Sequence, residues 1–336
     1  MLKFTKSLFL IILFAGCKNK DKNTDVALNS TKEWFKAWKL VSEDVFQLKN
    51  QSETRFVFFD KTYVYTTSPI TGNDGEKIEG PDFLGKKQVW FKKEHKGILI
   101  LPDSTKAKVD MMIYASPTKE KGVKTFFIMP LLSFWKERHI NSNGIELEKL
   151  TAGIFVHEFS HATQLETFEK FNEYFETYQK KFGDEAFGDN MMQTIFEKNQ
   201  EILSLYKTEL YFFQKSEQSN DSHRKKMTKI ALRCFYNKHE KILIKYKKDL
   251  KKLDDIWLTM EGLGQYAMYE YLINSKGGNM SKKKAFEAMK TKSWSQEEGF
   301  ALFYLLSKYK KPEIWAKDFF NPDMPTIIEV LQKEVN

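Results

Sequence analysis

The hydrophobic period of the chain changes once, near residue 146, and that change narrows the folds open to it. Between residues 55 and 130 apolar side chains come in short β-rich runs, at 55–59, 63–67, 98–101, 109–115 and 123–129. Turn clusters separate them, among them Gly72, Asn73, Asp74 and Gly75, then Pro102, Asp103 and Ser104. From 146 onward apolar stripes recur at helical spacing through 147–165, 167–181, 190–215, 222–250, 254–274 and 281–290. Gly183, Gly188, Gly277, Gly278 and Pro312 punctuate them. Residues 31–48 also read as a helix, with Ser30 or Thr31 as cap and Trp34, Phe35, Trp38, Val41, Val45 and Phe46 on one stripe. The expected fold class is α+β: a small, partly antiparallel N-terminal sheet within residues 31–145, then a mainly helical lobe over 146–336.

With 336 residues, 41% of them hydrophobic and 29% charged, the chain can bury a sizeable core. Its 29 Phe against 8 Pro, with only 2 Cys, exclude collagen-like, low-complexity and disulfide-scaffold classes. The net charge of +9 is scattered over helix faces, as at 245–252, and interleaved with acids. No nucleic-acid-binding motif accompanies it, so nucleic acid is not an expected partner. No apolar run reaches the roughly 18 residues of a membrane-spanning helix.

Residues 1–16 read as an export signal. Lys3 and Lys6 give a positive start, 8–15 an apolar stretch, and Gly16 a small residue before Cys17. The ending Phe14, Ala15, Gly16, Cys17 resembles the lipobox of bacterial lipoproteins, although Phe14 replaces the smaller aliphatics of that pattern. The resemblance implies cleavage before Cys17 and lipid on its sulfur and new amino group. A tether over 17–30, rich in Lys, Asn and Asp, would follow. Such a protein is exported and held at a bacterial membrane, facing the periplasm or the cell surface. With Cys17 acylated, Cys234 has no disulfide partner and reads as a small buried side chain on its helix.

Residues 157–161 are His, Glu, Phe, Ser and His. Histidines at i and i+4 project from one helix face toward one point, so both rings can bind a single Zn2+. Glu158 lies about 100° round the helix. There it can act on a metal-activated water without taking a coordination site. Zinc still needs a third protein ligand. Glu166, Glu169, Glu173 and Glu176 follow closely but read as solvated surface. Gln164 and Thr167 exclude a metzincin continuation, and a glutamate at the thermolysin-like spacing would fall near Lys180 and Lys181. The best-placed carboxylate is Glu261, followed by Gly262, Leu263, Gly264 and Gln265. Glycine inside an apolar helix costs about 1 kcal/mol relative to alanine. Close approach of another helix would offset that cost.

The two motifs together resemble the gluzincin group of zinc metallopeptidases, which implies a zincin-like fold. The resemblance implies Glu261 as third ligand beside His157 and His161, Glu158 as catalytic base, and a peptide or protein substrate. Gln265 stands where thermolysin-like relatives carry an acid that orients a zinc-bound histidine. Its amide is expected to accept the imidazole N–H instead. The stretch between His161 and Glu261 must pack as an extra subdomain and return the chain to the site. The run at 123–129 is expected to hold an extended peptide by edge pairing. His95, His139, His223 and His239 read as surface or core, while His223, His239, Tyr266, Tyr269 and Arg233 stay open as oxyanion donors. Two other functions stay open as well. One is a catalytically silent lipoprotein that binds a partner through the same fold. The other is a zinc amidase acting on cell-wall material. Glu158 beside both histidines favours catalysis, since a binder needs no base. Nothing in the sequence sets an oligomeric state.

Overall fold

The computed structural model of the protein describes residues 25–49, 53–140, 142, 144–182 and 188–336, leaving out the side chains of 166–174 and 181–182. The export signal, Cys17 and most of the tether lie outside the described residues, as do Gly183 and the side chains of Glu166, Glu169 and Glu173.

A 3-10 turn at Val26–Leu28 leads into α1 (Asn29–Lys39), which runs on as a π-helical segment, Leu40–Val45. The helix therefore starts before the expected caps. Asp25 takes the capping role by accepting from Ala27 N at 3.0 Å, and Thr31 instead donates to Leu28 O at 2.7 Å. Among the described residues eight strands follow: β1 (Thr54–Phe59), β2 (Tyr63–Thr66), β3 (Glu76–Ile78), β4 (Trp90–Glu94), β5 (Ile98–Ile100), β6 (Lys106–Lys108), β7 (Tyr114–Pro117) and β8 (Thr125–Pro130). Six make one sheet in the order β3-β4-β2-β1-β8-β7, and β5 and β6 form a separate hairpin. All neighbours in the large sheet are antiparallel except β1 and β8, which run parallel from Thr54↔Thr125 to Phe59↔Pro130. The hydroxyls of Thr54 and Thr125 meet at 3.0 Å.

This order corrects two expectations. The run at 123–129 is no edge: β8 is paired on both sides, and the edge beside it is β7. The run at 109–115 becomes strand only at its end. Side chains alternate across the sheet as the pleat requires. Phe56, Phe58, Phe127 and Met129 join the main core, while Val57, Phe59, Phe126 and Ile128 pack with Leu99, Leu101 and Phe134 on the other face.

Past the short α2 (Leu132–Glu137) the chain is helical: α3 (Leu147–Phe182), α4 (Met191–Phe196), α5 (Gln200–Glu217), α6 (Asp221–Tyr246), α7 (Lys251–Ile273), α8 (Lys282–Ala288), α9 (Trp294–Tyr309), α10 (Pro312–Trp315) and α11 (Ile327–Val335). The stripes at 147–165 and 167–181 form one helix of 36 residues, because neither glycine nor proline interrupts them after Gly153. The stripe at 190–215 is instead split. Asn199 accepts from Ile202 N at 3.2 Å and so caps α5 separately.

The long helix α3 carries two opposed faces. Phe155 and Phe159 stack into the aromatic core, with ring centroids 5.8 Å (Trp34 to Phe155), 5.2 Å (Phe127 to Phe155) and 5.6 Å (Phe56 to Phe159) apart. Two residues on is about 200° of helical rotation, so His157 and His161 emerge on the opposite side, toward α7. The inserted helices fold back on the rest: α5 packs on α6 and α9, and α6 on α11. Among the described residues no helix is long and apolar enough to cross a membrane.

Candidate metal centre

Helices α3 and α7 meet along an antiparallel seam in steps of one turn. Gly153 faces Met268, His157 faces Gly264, and His161 faces Glu261. Glycine sets the separation: a Cβ on Gly264 would stand 2.9 Å from His157 Nδ1, and one on Gly153 would stand 3.1 Å from Met268 Cγ. Gly262 serves the other side of α7. A Cβ there would reach within 2.4 Å of Gly299 O on α9. The expected close approach around Glu261 is present, with α7 held between α3 and α9.

The ligand-type atoms of His157, Glu158 and His161 lie within 4.8 Å of one another, a group able to hold a metal ion. Glu261 comes up from α7 to the same point. Its Oε2 lies 3.4 Å from His157 Nε2, its Oε1 lies 3.5 Å from His161 Nε2, and the two Nε2 atoms are 3.3 Å apart. His157 and Glu261 are buried; Glu158 and His161 are half-buried.

Hydrogen bonds fix the presentation of His161. Gln164 donates Nε2 to Phe319 O at 3.1 Å, which leaves its Oε1 facing His161 Nδ1 at 3.4 Å. A carbonyl oxygen there requires the proton on Nδ1 and frees Nε2 toward Glu261. Gln265 does not take the expected part, because it donates to Gln296 Oε1 at 3.1 Å rather than meeting an imidazole. Gln296 in turn donates to Glu261 Oε2 at 3.1 Å.

The electrostatics separate the two glutamates. Burial raises the Glu261 carboxyl, but the bond to His157, the charges of both histidines and the bond from Gln296 outweigh it and bring the group down to about 2. Burial pushes Glu158 up to about 7; the Glu261 and Asp189 carboxylates add to the rise and His157 opposes it. His157 is pulled down by burial, yet Glu261, Glu158 and Asp189 leave it above its ordinary value. Burial holds His161 below its ordinary value. Asp189 is raised by its own burial and by the Glu261 charge.

Gln164 and Gln296 were not foreseen as site residues. Only Gln164 carried a local signal, three positions after His161 on the same face. His239 is held by Asp254 at 2.9 Å, Tyr266 packs on Phe46 and Trp315, Tyr269 packs on Tyr304, and His223 and Arg233 are exposed. Glu176 is exposed. His95 is buried and bonded to Asp60 O, and His139 is exposed. Cys234 is half-buried, with its thiol raised chiefly by burial.

His239 and Asp254 belong to a second polar group inside the helical lobe. Lys238 Nζ lies 3.0 Å from Glu209, 3.4 Å from Asp254 and 3.8 Å from Glu298, all buried, with one residue from each of α5, α6, α7 and α9. The ammonium already supplies the cation here.

Comparison of the chain with family models, with curated proteins and with solved structures gives no match.

Proposed function

We propose that the protein is a zinc metallopeptidase of the gluzincin kind, with a zincin-like arrangement of sheet and helix, exported and anchored through a lipidated Cys17. The observation that carries this reading is the triangle of groups made by His157 Nε2, His161 Nε2 and the Glu261 carboxylate: the nitrogens are 3.3 Å apart, Oε2 lies 3.4 Å from the first and Oε1 3.5 Å from the second. Zinc–nitrogen and zinc–oxygen bonds of about 2.0–2.1 Å in tetrahedral geometry require ligand atoms about 3.3–3.4 Å apart. The separations are of that size, so the two rings and the Glu261 carboxylate would hold the ion between α3 and α7.

Zinc at that point supplies Lewis acidity toward a scissile carbonyl and makes water acidic enough to react near neutral pH. The rest falls to the chain. Glu158, beside the triangle but outside it, takes the proton of the attacking water and hands it to the leaving amine. Gln164 holds His161 in the tautomer that presents Nε2. The edge strand β7, which packs beside α3, offers unpaired backbone to an extended peptide.

The test separates ligand from base. Glu158→Gln is expected to keep zinc while peptide hydrolysis falls by roughly 10²–10⁴-fold. Glu261→Ala is expected to lose most zinc affinity and to regain some activity in excess zinc; Glu261→Asp should fall between. If Glu261→Ala binds zinc like the parent, the third ligand lies elsewhere. If the parent binds zinc but cleaves nothing in a broad peptide library, a silent binder or a cell-wall amidase becomes the better reading.

A further inference from the structure

The Glu261 carboxylate has four lone-pair directions to satisfy in a buried site, and the histidines use only those facing α3. The remaining side is met by a pair of amides. Because a carboxylate only accepts, Gln296 must turn its NH2 toward Glu261 Oε2, at 3.1 Å. Its carbonyl oxygen then faces away, and Gln265 Nε2 donates to it at 3.1 Å. The chain of donors therefore has one direction, from Gln265 through Gln296 to Glu261.

The backbone places these groups with little slack. Gly262 follows Glu261 on α7, and Gly299 lies about one turn after Gln296 on α9. A Cβ on either glycine would come within 2.4–2.7 Å of backbone atoms of the other helix. The start of α9 is fixed from the side of the inserted helices as well. Trp294 N donates to Gln193 Oε1 at 3.1 Å, and the Trp294 ring stacks on Tyr206 of α5 at 4.2 Å.

We infer that Gln296 is a positioning residue for Glu261, orienting its carboxylate for the metal, with Gln265 as the group that orients Gln296. The inference rests on the reading of Glu261 as a zinc ligand. On this view the inserted helices act on the site through the start of α9, which they hold in place.

The test uses the full-length chain in detergent, with zinc affinity measured by competition against a chromophoric chelator and thermal unfolding measured on the metal-free protein. Gln296→Met keeps length and removes the donor. It should lower zinc affinity about 10–100-fold, the usual effect of losing a partner that orients a ligand. The metal-free unfolding temperature should change little. Gln265→Leu should lower affinity less, and it serves if Gln296→Met does not fold. Cobalt-loaded Gln296→Met should also show an altered ligand-field spectrum, which a merely structural role would not produce. Parent-like affinity and spectrum in both variants would overturn the inference while leaving the zinc site standing. If the parent binds no zinc, or if Glu261→Ala binds it as tightly as the parent, the reading beneath fails and this inference with it.

Discussion

Gly264 lies against the His157 ring, where a β-carbon would stand 2.9 Å from Nδ1. An alanine at this place should be welcome to the helix, which gains about 1 kcal/mol from the exchange. It should be unwelcome to the site, since His157 cannot move without leaving the triangle it forms with His161 and Glu261. Gly264→Ala is therefore expected to weaken metal binding at least tenfold, while the metal-free protein melts no higher than the parent, because overpacking of about 1–3 kcal/mol offsets the helix gain. Isothermal titration with zinc and a melting curve check the two halves. Unchanged zinc affinity would show that the ring has room to shift.

Lys238 is buried among Glu209, Asp254 and Glu298. Its three neighbours hold the ammonium charged against the pull of burial. Removing it strands carboxylates in a low-dielectric interior, which typically costs about 3–5 kcal/mol. Lys238→Met should lower stability by that order in denaturant titrations at pH 7. Adding Glu298→Gln should restore part of the loss, because one fewer carboxylate remains uncompensated. A single mutant as stable as the parent would mean that the acids hold protons without the lysine.

Burial pushes Asp255 from its ordinary 3.8 up to about 7, although Thr326 Oγ1 at 2.6 Å and Ile328 N at 3.3 Å bond to it. A carboxyl whose pKa is raised on folding keeps its proton in the native state after the unfolded chain has lost it. Its contribution is complete below about pH 4, declines as pH rises toward about 7, and is flat above. Asp255→Asn removes that slope. Between pH 4.5 and 8 the variant should gain on the parent by up to about 3 kcal/mol. Urea midpoints at the two pH values measure it, and a difference between the two proteins that does not change with pH would contradict it.

The anchor rests on Phe14, Ala15, Gly16 and Cys17 after an apolar run. Labelled fatty acid should enter the protein in a bacterial host, and Cys17→Ser should abolish the labelling. An unlabelled parent that partitions into the aqueous phase of a detergent extraction would remove the lipid anchor from the proposal.

The histidine pair was legible because its geometry is set by one helix: residues four apart share a face whatever surrounds them. Glu261 was legible for a weaker reason, the odd glycines beside it, which the seams with His157 and Gly299 now explain. Gln265 was placed at the site but with the wrong partner, since its neighbour Gln296 belongs to a helix 31 residues on. The same limit hid the acids around Lys238, each of which looks like part of a solvated face in its own helix. Strands β3 and β6 are three residues long and largely charged, so no alternation announced them. The position of β8 could have been read better. Phe126, Phe127, Ile128 and Met129 form an unbroken apolar run, which suits a strand covered on both faces rather than an edge.

One turn of α9 carries Gln296 against Glu261, Glu298 near the Lys238 ammonium, and Gly299 against Gly262. The stretch between the two motifs is therefore not a detachable ornament. A shortened protein, with residues 188–250 cut away to bring His161 and Glu261 closer in sequence, would keep His157, His161 and Glu261 themselves. It would also discard Lys238, Glu209 and the Tyr206 stack on Trp294, and with them the scaffolding that sets where α9 begins. Minimising this protein to its motif-bearing helices should yield a chain with the right residues and no site.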